Sequence, residues 1–200
     1  MKKTVFNTKT IATMAILTAL SYILYVLVKF PIPFLFPSFL DIQFSDLPII
    51  LGSYMFGIPA GLIMTIARFL LKMPLTSTAM VGETADLMIT IAYIIPSSIL
   101  FRKSASKHKL VLSLVVGAIS ATLMAMVANQ FILIPFYVEF FFGGQFEILL
   151  LMVRPLYPNV TESTFFTYYQ FLAVLPFNIL RLSICSVLVK IIYEKLKAII

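Results

Sequence analysis

The sequence predicts an all-α integral membrane protein, and two properties of its composition lead to this fold class. Of the 200 residues, 61% are hydrophobic and only 12% are charged, whereas about a quarter of the residues in a soluble domain are charged. Uncharged runs of roughly 20 residues, the length of a membrane-spanning helix, recur along the chain. The alternation of polar and apolar residues that is typical of a membrane barrel does not occur. We therefore expect residues 1–200 to form a single integral membrane domain of packed helices.

The positions of the charges predict the orientation of these helices. The net charge is +7, but the basic residues cluster near both termini and at 102–109, as they do in cytoplasmic segments of membrane proteins. With six transmembrane helical segments and both termini cytoplasmic, ten of the fifteen Lys and Arg lie inside, and Glu194 is the only acid there. The inner basic residues are Lys2, Lys3, Lys9, Arg102, Lys103, Lys107, Lys109, Lys190, Lys195 and Lys197. Membrane topology therefore accounts for the positive charge, and nucleic-acid binding is not indicated.

The first helix is expected at about 11–28, after three lysines. A secretory signal peptide has the same basic start, but no small-residue cleavage site closes this run, so we expect the helix to be retained. Ala12, Ala15 and Ala19 share one side of it at three- and four-residue spacing. Small residues in this pattern let a second helix approach closely. Such a helix belongs either to a partner subunit or to this chain.

Residues 29–46 are expected to form an outer cap loop. They contain three prolines and five phenylalanines, so a helix cannot continue, yet the segment is too apolar for a solvated loop. We expect it to fold back over the membrane face. Its aromatic rings then either stack on a flat ligand or form a belt at the membrane interface.

The next uncharged run is predicted to be a hairpin of two short helices, about 47–57 and 59–72. A single span would place the basic loop at 102–109 and the C-terminal lysines outside, against the positive-inside rule. A turn at Gly57–Gly61 removes this conflict. Each helix is shorter than a hydrocarbon core of about 30 Å, and short, interrupted helices are typical of transporter binding sites.

The remaining helices are expected at about 80–101, 110–135 and 168–196. Residues 73–79 and 136–167 are predicted to be further outer cap loops.

Charged residues between two apolar runs predict a polar pocket. Arg68 and Lys72 are four residues apart, and Glu83 and Asp86 are three apart, so each pair shares a helix face. Charge at membrane depth is costly and normally points to a partner or a cavity. The alternative is that a cation of the first pair binds an acid of the second only to hold the helices together.

Amide and guanidinium groups on the later helices point to the same pocket. Asn129 and Asn178 can both donate and accept hydrogen bonds, as the edge of a heterocycle requires, and Arg181 offers a planar fork for oxygen atoms. Asn178 and Arg181 are three residues apart and share a face. Structural ion pairing is less able to explain two Asn and an Arg on two helices at the same depth.

Several catalytic motifs are missing from the sequence. No Walker A motif occurs, so the chain is not expected to bind or hydrolyse ATP by that route. The only histidine, His108, lies in the basic loop, and no Cys/His cluster indicates a metal. Cys185 is the single cysteine, which excludes an internal disulfide. We expect neither an enzyme nor a bound cofactor.

Taken together, the ordered motifs resemble those of the substrate-binding (S) components of energy-coupling-factor (ECF) vitamin transporters, in the riboflavin-type group. Each motif is weak alone, but the set spans nearly the whole chain in the right order. The matching pieces are the alanine-rich first helix, Phe39–Pro48, Phe56–Gly61, Val81–Asp86, Asn129 with Ile134-Pro135, and Leu175–Asn178.

The resemblance implies a six-helix S component of a bacterial plasma membrane that captures riboflavin from outside. It then docks on a module of one transmembrane scaffold subunit and two ATPases, which use the ATP, and releases the vitamin inside. Ala15 and Ala19 match the surface presented to the scaffold subunit. The resemblance implies that Asn129, Asn178 and Arg181 contact the flavin, and it places Leu40, Asp41 and Phe44 in the matching cap loop. Together with Arg68, Glu83 and Asp86 of the predicted polar pocket, these are the candidate ligand-binding residues.

Three departures from the riboflavin-type pattern leave alternatives open. Those members usually have Lys at the position of Arg181, Lys-Asn at Ala67-Arg68, and a more neutral VGELAN in place of Val81–Asp86. An additional Arg at the site favours an anionic ligand, such as pantothenate or flavin mononucleotide, so another vitamin is the first alternative. A membrane enzyme acting on a lipid or isoprenoid, and a scaffold protein with purely structural charges, are the remoter ones.

Overall fold

The computed structural model describes residues 7–199, with side chains to residue 196. Two short strands and a set of helices follow one another along the chain. The elements are α1 Thr8–Leu27, β1 Lys29–Pro31, β2 Asp41–Gln43, α2 Asp46–Phe56, α3 Ile58–Lys72, α4 Val81–Lys103, α5 Lys109–Ala128, α6 Ile134–Phe136, α7 Phe146–Val153, α8 Phe165–Tyr168 and α9 Leu175–Ile199. π-Helical turns at Asn129–Leu133, Tyr137–Phe141 and Tyr169–Val174 join α5 to α6, extend α6, and join α8 to α9.

Five helical segments are long and apolar enough to cross a membrane. They are Thr8–Leu27, Ile58–Leu75, Val81–Lys103, Lys109–Phe141 and Phe165–Leu196. Large apolar side chains such as Ile16, Leu123 and Val187 are more than half exposed on their outer faces, as expected where lipid replaces water. The prediction of an all-α membrane protein is therefore confirmed. The cytoplasmic location of the termini stays a prediction.

The sixth apolar helix, α2, has only 11 residues, so it rises roughly 17 Å. It meets α3 at Gly57, whose φ of 106° lies in a region that favours glycine. The Gly57 N–H closes α2 by donating to the Ser53 carbonyl at 2.9 Å, and its own carbonyl accepts from the Gly61 N–H at 3.1 Å. Pro59 follows in the first turn of α3, where its missing N–H costs nothing. The hairpin thus turns where the sequence predicted it.

The helices pack around a core shared by α2, α4, α5 and α9. α4 lies along α5, α5 lies along α9, and α1 covers α2 and α3. α4 and α5 approach closely because Gly117 has no side chain: a Cβ there would lie 2.7 Å from Cε1 of Tyr93. Core side chains come from all four helices, for example Ile50, Ile89, Ala121 and Leu182.

The predicted cap at 29–46 contains an antiparallel ribbon. β1 pairs with β2 in the register Lys29↔Gln43, Phe30↔Ile42 and Pro31↔Asp41. Between the strands, Phe36 turns inward and meets the Phe177 ring edge-on at 5.3 Å. The segment therefore folds back onto α9, and its strands fix which side chains face inward.

Residues 136–167 are not a loop throughout, so that prediction was wrong. The helix predicted to end at 135 continues to Phe141, and α7 follows. A proline at the predicted end of a helix does not stop this one. Pro135 instead occupies the first turn after a π-helical turn, where a missing N–H is tolerated. The predicted loop at 73–79 likewise begins with a 3₁₀ turn at Met73–Leu75.

Candidate functional site

A cavity of about 240 Å³ lies between the cap ribbon and the ends of α1, α3, α4, α5 and α9. Its charged lining residues are Lys29, Asp41, Lys72, Glu83, Asp86 and Arg181. Its aromatic lining residues are Tyr25, Phe39, Tyr137, Tyr169 and Phe177. Such a concave site, in which polar side chains converge between aromatic and aliphatic ones, is suited to a small molecule.

Asn129 reaches the cavity from the end of α5. It begins a π-helical turn in which the Ile134 N–H donates to the Asn129 carbonyl, and this wider turn precedes Pro135. The side-chain amide is held on both sides: Nδ2 donates to the Ala125 carbonyl at 2.8 Å, and Oδ1 accepts from the Tyr169 hydroxyl at 2.7 Å. An amide has two donors and two lone pairs, so one of each remains for a ligand. Asn129 is thus oriented before any ligand arrives.

Asn178 reaches the cavity in a related way from α9. A π-helical turn precedes Pro176, which cannot donate to the Leu172 carbonyl four residues earlier. The Tyr157 hydroxyl donates to that carbonyl instead, at 3.1 Å. Burial raises the pKa of Tyr157, which keeps its hydroxyl protonated as a donor. Asn178 Nδ2 donates to the Val174 carbonyl at 2.8 Å, and the side chain lines the cavity.

A buried ion network forms the cavity wall nearest α2 and α3. Arg68, 1% exposed, donates through NH1 to Asp46 Oδ1 at 2.9 Å and through NH2 to Asp86 Oδ2 at 3.1 Å. Lys72 Nζ also binds Asp86 Oδ2 and lies 3.7 Å from the centre of the Tyr25 ring. A charge buried without a partner is very costly, so this pairing permits the cations at membrane depth.

Arg181 connects the network to the cavity. Its NH2 donates to Asp46 Oδ2 at 3.1 Å, while the residue itself lines the cavity and is 5% exposed. Its Nε has no hydrogen-bond partner within the described part of the chain. Arg181 is therefore both fixed by a carboxylate and equipped with a buried donor.

Glu83 binds the loop between α3 and α4. Its Oε2 accepts from the hydroxyls of Thr76 at 2.9 Å and Thr78 at 2.7 Å. Two residues of this loop, Ala79 and Met80, have positive φ, a strained conformation for non-glycine residues. These hydrogen bonds offset that strain and hold the loop against the cavity.

Seven of the nine predicted ligand-binding residues lie together around the cavity. They are Asn129, Asn178, Arg181, Glu83, Asp86, Leu40 and Asp41. Two do not line it: Arg68 lies behind the wall in the ion network, and Phe44 packs beside the cluster of Phe36, Ile42 and Phe177. The predicted pairing of Arg68 and Lys72 with acids is seen at Asp86, but not at Glu83.

Several residues of the site are not among those predicted from the sequence. Asp46 is the last residue of the predicted cap at 29–46 but the first residue of α2, and a Ser-Asp pair before an apolar run is a helix-start signal. Gln43 lies in the same segment and was not predicted as a site residue. Its Nε2 donates to Asp86 Oδ1 at 3.0 Å. Tyr25 and Tyr169 had no local signal, because only the fold brings them to the cavity.

Two other predictions concern partners and metals. Ala15 and Ala19 are exposed on α1, and their role in docking stays a prediction. Within residues 7–199, no group of three or more His, Cys, Asp or Glu side chains is arranged to hold a metal ion.

Comparison with known proteins identifies the family. The family model "ECF transporter, substrate-specific component" matches residues 9–193. Riboflavin transporter RibU of Staphylococcus aureus (strain TCH60) is 26% identical over 188 residues, covering 94% of this chain and 90% of that protein. Riboflavin transporter FmnP of Bacillus subtilis (strain 168) is 26% identical over 193 residues, with coverage of 94% and 92%. Riboflavin transporter RibU of Streptococcus thermophilus (strain ATCC BAA-250 / LMG 18311) is 29% identical over 199 residues, with coverage of 97% and 85%.

The fold agrees with this assignment. A solved S component of a bacterial ECF transporter superposes with a TM-score of 0.72 and 25% identity, covering 96% of each chain. The family consists of transporter subunits and not of enzymes. This membrane protein therefore belongs to the substrate-specific (S) components of ECF transporters.

Proposed function

We propose that this chain is the riboflavin-binding S component of an ECF-type importer in a bacterial plasma membrane. It captures riboflavin from outside, docks on an ATP-hydrolysing module and delivers the vitamin inside. Family membership supports the transport role, and the relatives named riboflavin transporters support the substrate.

The charge balance of the cavity is the observation that favours riboflavin over an anionic vitamin. Among the described residues, three cations and three carboxylates line the cavity. Arg68, the additional Arg that favours an anion in the sequence analysis, is paired with Asp46 and Asp86 and does not line it. A neutral ligand fits such a balanced site, whereas a phosphate or carboxylate would add a negative charge beside carboxylates such as Glu83 and Asp41.

The walls of the cavity suit the two halves of riboflavin. Its flat ring system can pack against aromatic side chains such as Phe39, Tyr137 and Phe177. The ring edge alternates carbonyl and N–H groups, which match the donors and acceptors of Asn129 and Asn178. Hydroxyl groups of the ribityl chain can donate to the cavity carboxylates.

Partner subunits use the ATP, since this chain has no Walker A motif. The partners are a transmembrane scaffold subunit and two ATPases. The exposed face of α1 around Ala15 and Ala19 is the proposed contact with the scaffold subunit, because small residues permit close helix packing.

The substrate can be tested with the purified chain in detergent, without ATP and without partners. A panel of riboflavin, flavin mononucleotide, pantothenate, thiamine and biotin is screened by thermal unfolding, and any co-purified small molecule is identified by mass spectrometry. Riboflavin should co-purify or raise the unfolding temperature most. If another vitamin does so while riboflavin has no effect, the riboflavin assignment is wrong.

A further inference from the structure

The aromatic residues of the cap divide between two sides of the segment. Phe36 is 3% exposed and packs against α9, and Phe39 lines the cavity. Phe34, at the other extreme, is 82% exposed, and its neighbour Leu35 and the strand residue Phe30 are each about half exposed. The inner side of the cap therefore belongs to the protein interior. The outer side is an apolar surface that no residue within the described part of the chain covers.

The depth of the cap in the membrane follows from its contact with α1, which is just long enough to cross the hydrocarbon core. The Ser21 hydroxyl donates to the Ser45 carbonyl, directly before α2. Ser21 lies six residues before Leu27, the last residue of α1. At 1.5 Å rise per residue, α2 thus begins roughly 9 Å closer to the membrane centre than α1 ends. The chain that joins these two ends therefore lies partly within the thickness of the membrane.

The backbone of the cap suits the boundary between lipid head groups and acyl chains. Its three prolines have no N–H group that needs water. The β1–β2 ladder pairs part of the backbone, and at the tip the Ile32 carbonyl accepts from the N–H groups of Leu35 at 3.0 Å and Phe36 at 2.9 Å. An irregular backbone in contact with lipid needs such pairing. The free groups at the ribbon edges can reach the head groups and their water.

We propose that the outer side of the cap, formed by Phe30, Phe34 and Leu35, inserts into the bilayer at the boundary between head groups and acyl chains. The partner is phospholipid of the leaflet on the cap side. Three observations favour lipid: the depth of the segment, the absence of charge between Lys29 and Asp41, and the continuity of this surface with the exposed apolar end of α1. Aromatic side chains are favoured at this boundary.

This contact gives the bilayer a part in shaping the ligand site. The same segment lines the cavity from its inner side through Phe39 and Leu40. Lipid then supports the outer side of a cavity wall, in the place where a soluble binding protein would need further chain. The inference concerns the membrane and does not depend on which vitamin binds.

The test uses the absence of Trp from the chain, since one introduced Trp then reports the surroundings of one position. The full chain with Phe34→Trp is reconstituted without partner subunits in vesicles of phosphatidylcholine brominated either near the head group or near the end of the acyl chains. Bromine quenches Trp emission on contact. Two variants serve as controls: Leu123→Trp, on an exposed face of the span Lys109–Phe141, and Ser106→Trp, at an exposed position of the basic loop.

Phe34→Trp should lose more emission with bromine near the head group than with bromine near the chain end. Leu123→Trp should show the reverse order, because it lies near the middle of its span. Ser106→Trp should be quenched mainly by acrylamide in the buffer. Leu35→Trp, on the same surface of the cap, replaces Phe34→Trp if that variant does not fold, and it should behave in the same way.

Three results would overturn the inference. Quenching of Phe34→Trp by acrylamide with no effect of either brominated lipid would place the tip of the cap in water. Protection from lipid bromine and acrylamide together would mean that protein, such as a second copy of this chain, covers the surface. Stronger quenching by bromine near the chain end would place the tip in the hydrocarbon core and contradict the boundary position.

Discussion

At the scale of single residues, Arg68 shows that a charge in a membrane helix does not by itself mark a ligand contact. Five side chains accept from its guanidinium, on α1, α2, α4 and the residue before α2: Ser21, Ser45, Asp46, Asp86 and Thr90. Each hydrogen bond offsets part of the cost of burying the cation. Arg68 is therefore expected to hold helices together and to act on the ligand only through its neighbours.

Replacing Arg68 with Met should destabilise the protein by about 3–5 kcal/mol, because Asp46 and Asp86 lose a shared buried partner. Thermal unfolding of the purified variant measures the change. Arg154→Met is the control: its ion pair with Glu147 is 40% and 58% exposed, and such pairs contribute less than about 1 kcal/mol. Similar unfolding temperatures for the two variants would show that the network is not a stabilising centre.

Replacing Asn178 with Ala should weaken riboflavin binding about 10- to 100-fold, the loss expected for one or two buried hydrogen bonds. The unfolding temperature without ligand should change little, since the amide has one intrahelical partner, the Val174 carbonyl. Fluorescence titration gives the affinity. Asn159→Ala, at an exposed position before α8, should bind like the wild type. An unaltered affinity in Asn178→Ala would remove this residue from the site.

At the scale of elements, the site depends on where helices are interrupted. Pro135 and Pro176 each follow a π-helical turn, and each such turn lies beside a cavity-lining amide. The Tyr157 hydroxyl satisfies the carbonyl freed by Pro176, so the irregular backbone stays paired at membrane depth. Irregular turns of this kind are frequent at functional sites.

The contact of α4 with α5 is the second element on which the site depends, since both helices line the cavity. Gly117→Val should cost about 1–3 kcal/mol, because a Cβ would lie 2.7 Å from Tyr93 Cε1 and 2.9 Å from Ser97 Cβ. Unfolding temperature is the measurement. Ala12→Val, the same kind of enlargement on an exposed face of α1, should have no effect. Equal stability of the two variants would mean that α4 and α5 do not pack as described.

At the scale of the whole molecule, the fold class and the α2–α3 hairpin could be predicted from the sequence because both depend on long-range counts of charge and hydrophobicity. The continuation of the fifth helical segment past Pro135 to Phe141 could not be predicted. A proline gives the same local signal whether a helix stops there or passes through a π-helical turn. Partner choice among buried charges was also beyond the sequence. Arg68 pairs with Asp46, 22 residues earlier, and Glu83 accepts hydrogen bonds from threonines. Which groups come into contact depends on the fold of the whole chain.

The predicted orientation can be tested by labelling single cysteines in intact cells. In a Cys185→Ala background, Ser106→Cys lies in the basic loop and Ser163→Cys lies in the outer segment, both at exposed positions. A membrane-impermeant maleimide should label position 163 at once and position 106 only after lysis, as the positive-inside rule requires. The reverse pattern would invert the topology.

The central claim is that a charge-balanced cavity in this chain binds neutral riboflavin without ATP or partner subunits. The most direct measurement is a side-by-side equilibrium titration of the purified protein with riboflavin and flavin mononucleotide at constant salt. We predict one riboflavin per chain, and affinity for the mononucleotide weaker by about tenfold or more, since its phosphate adds charge to a site with no excess of cations. Tighter binding of the mononucleotide, or no saturable binding of riboflavin, would contradict the account.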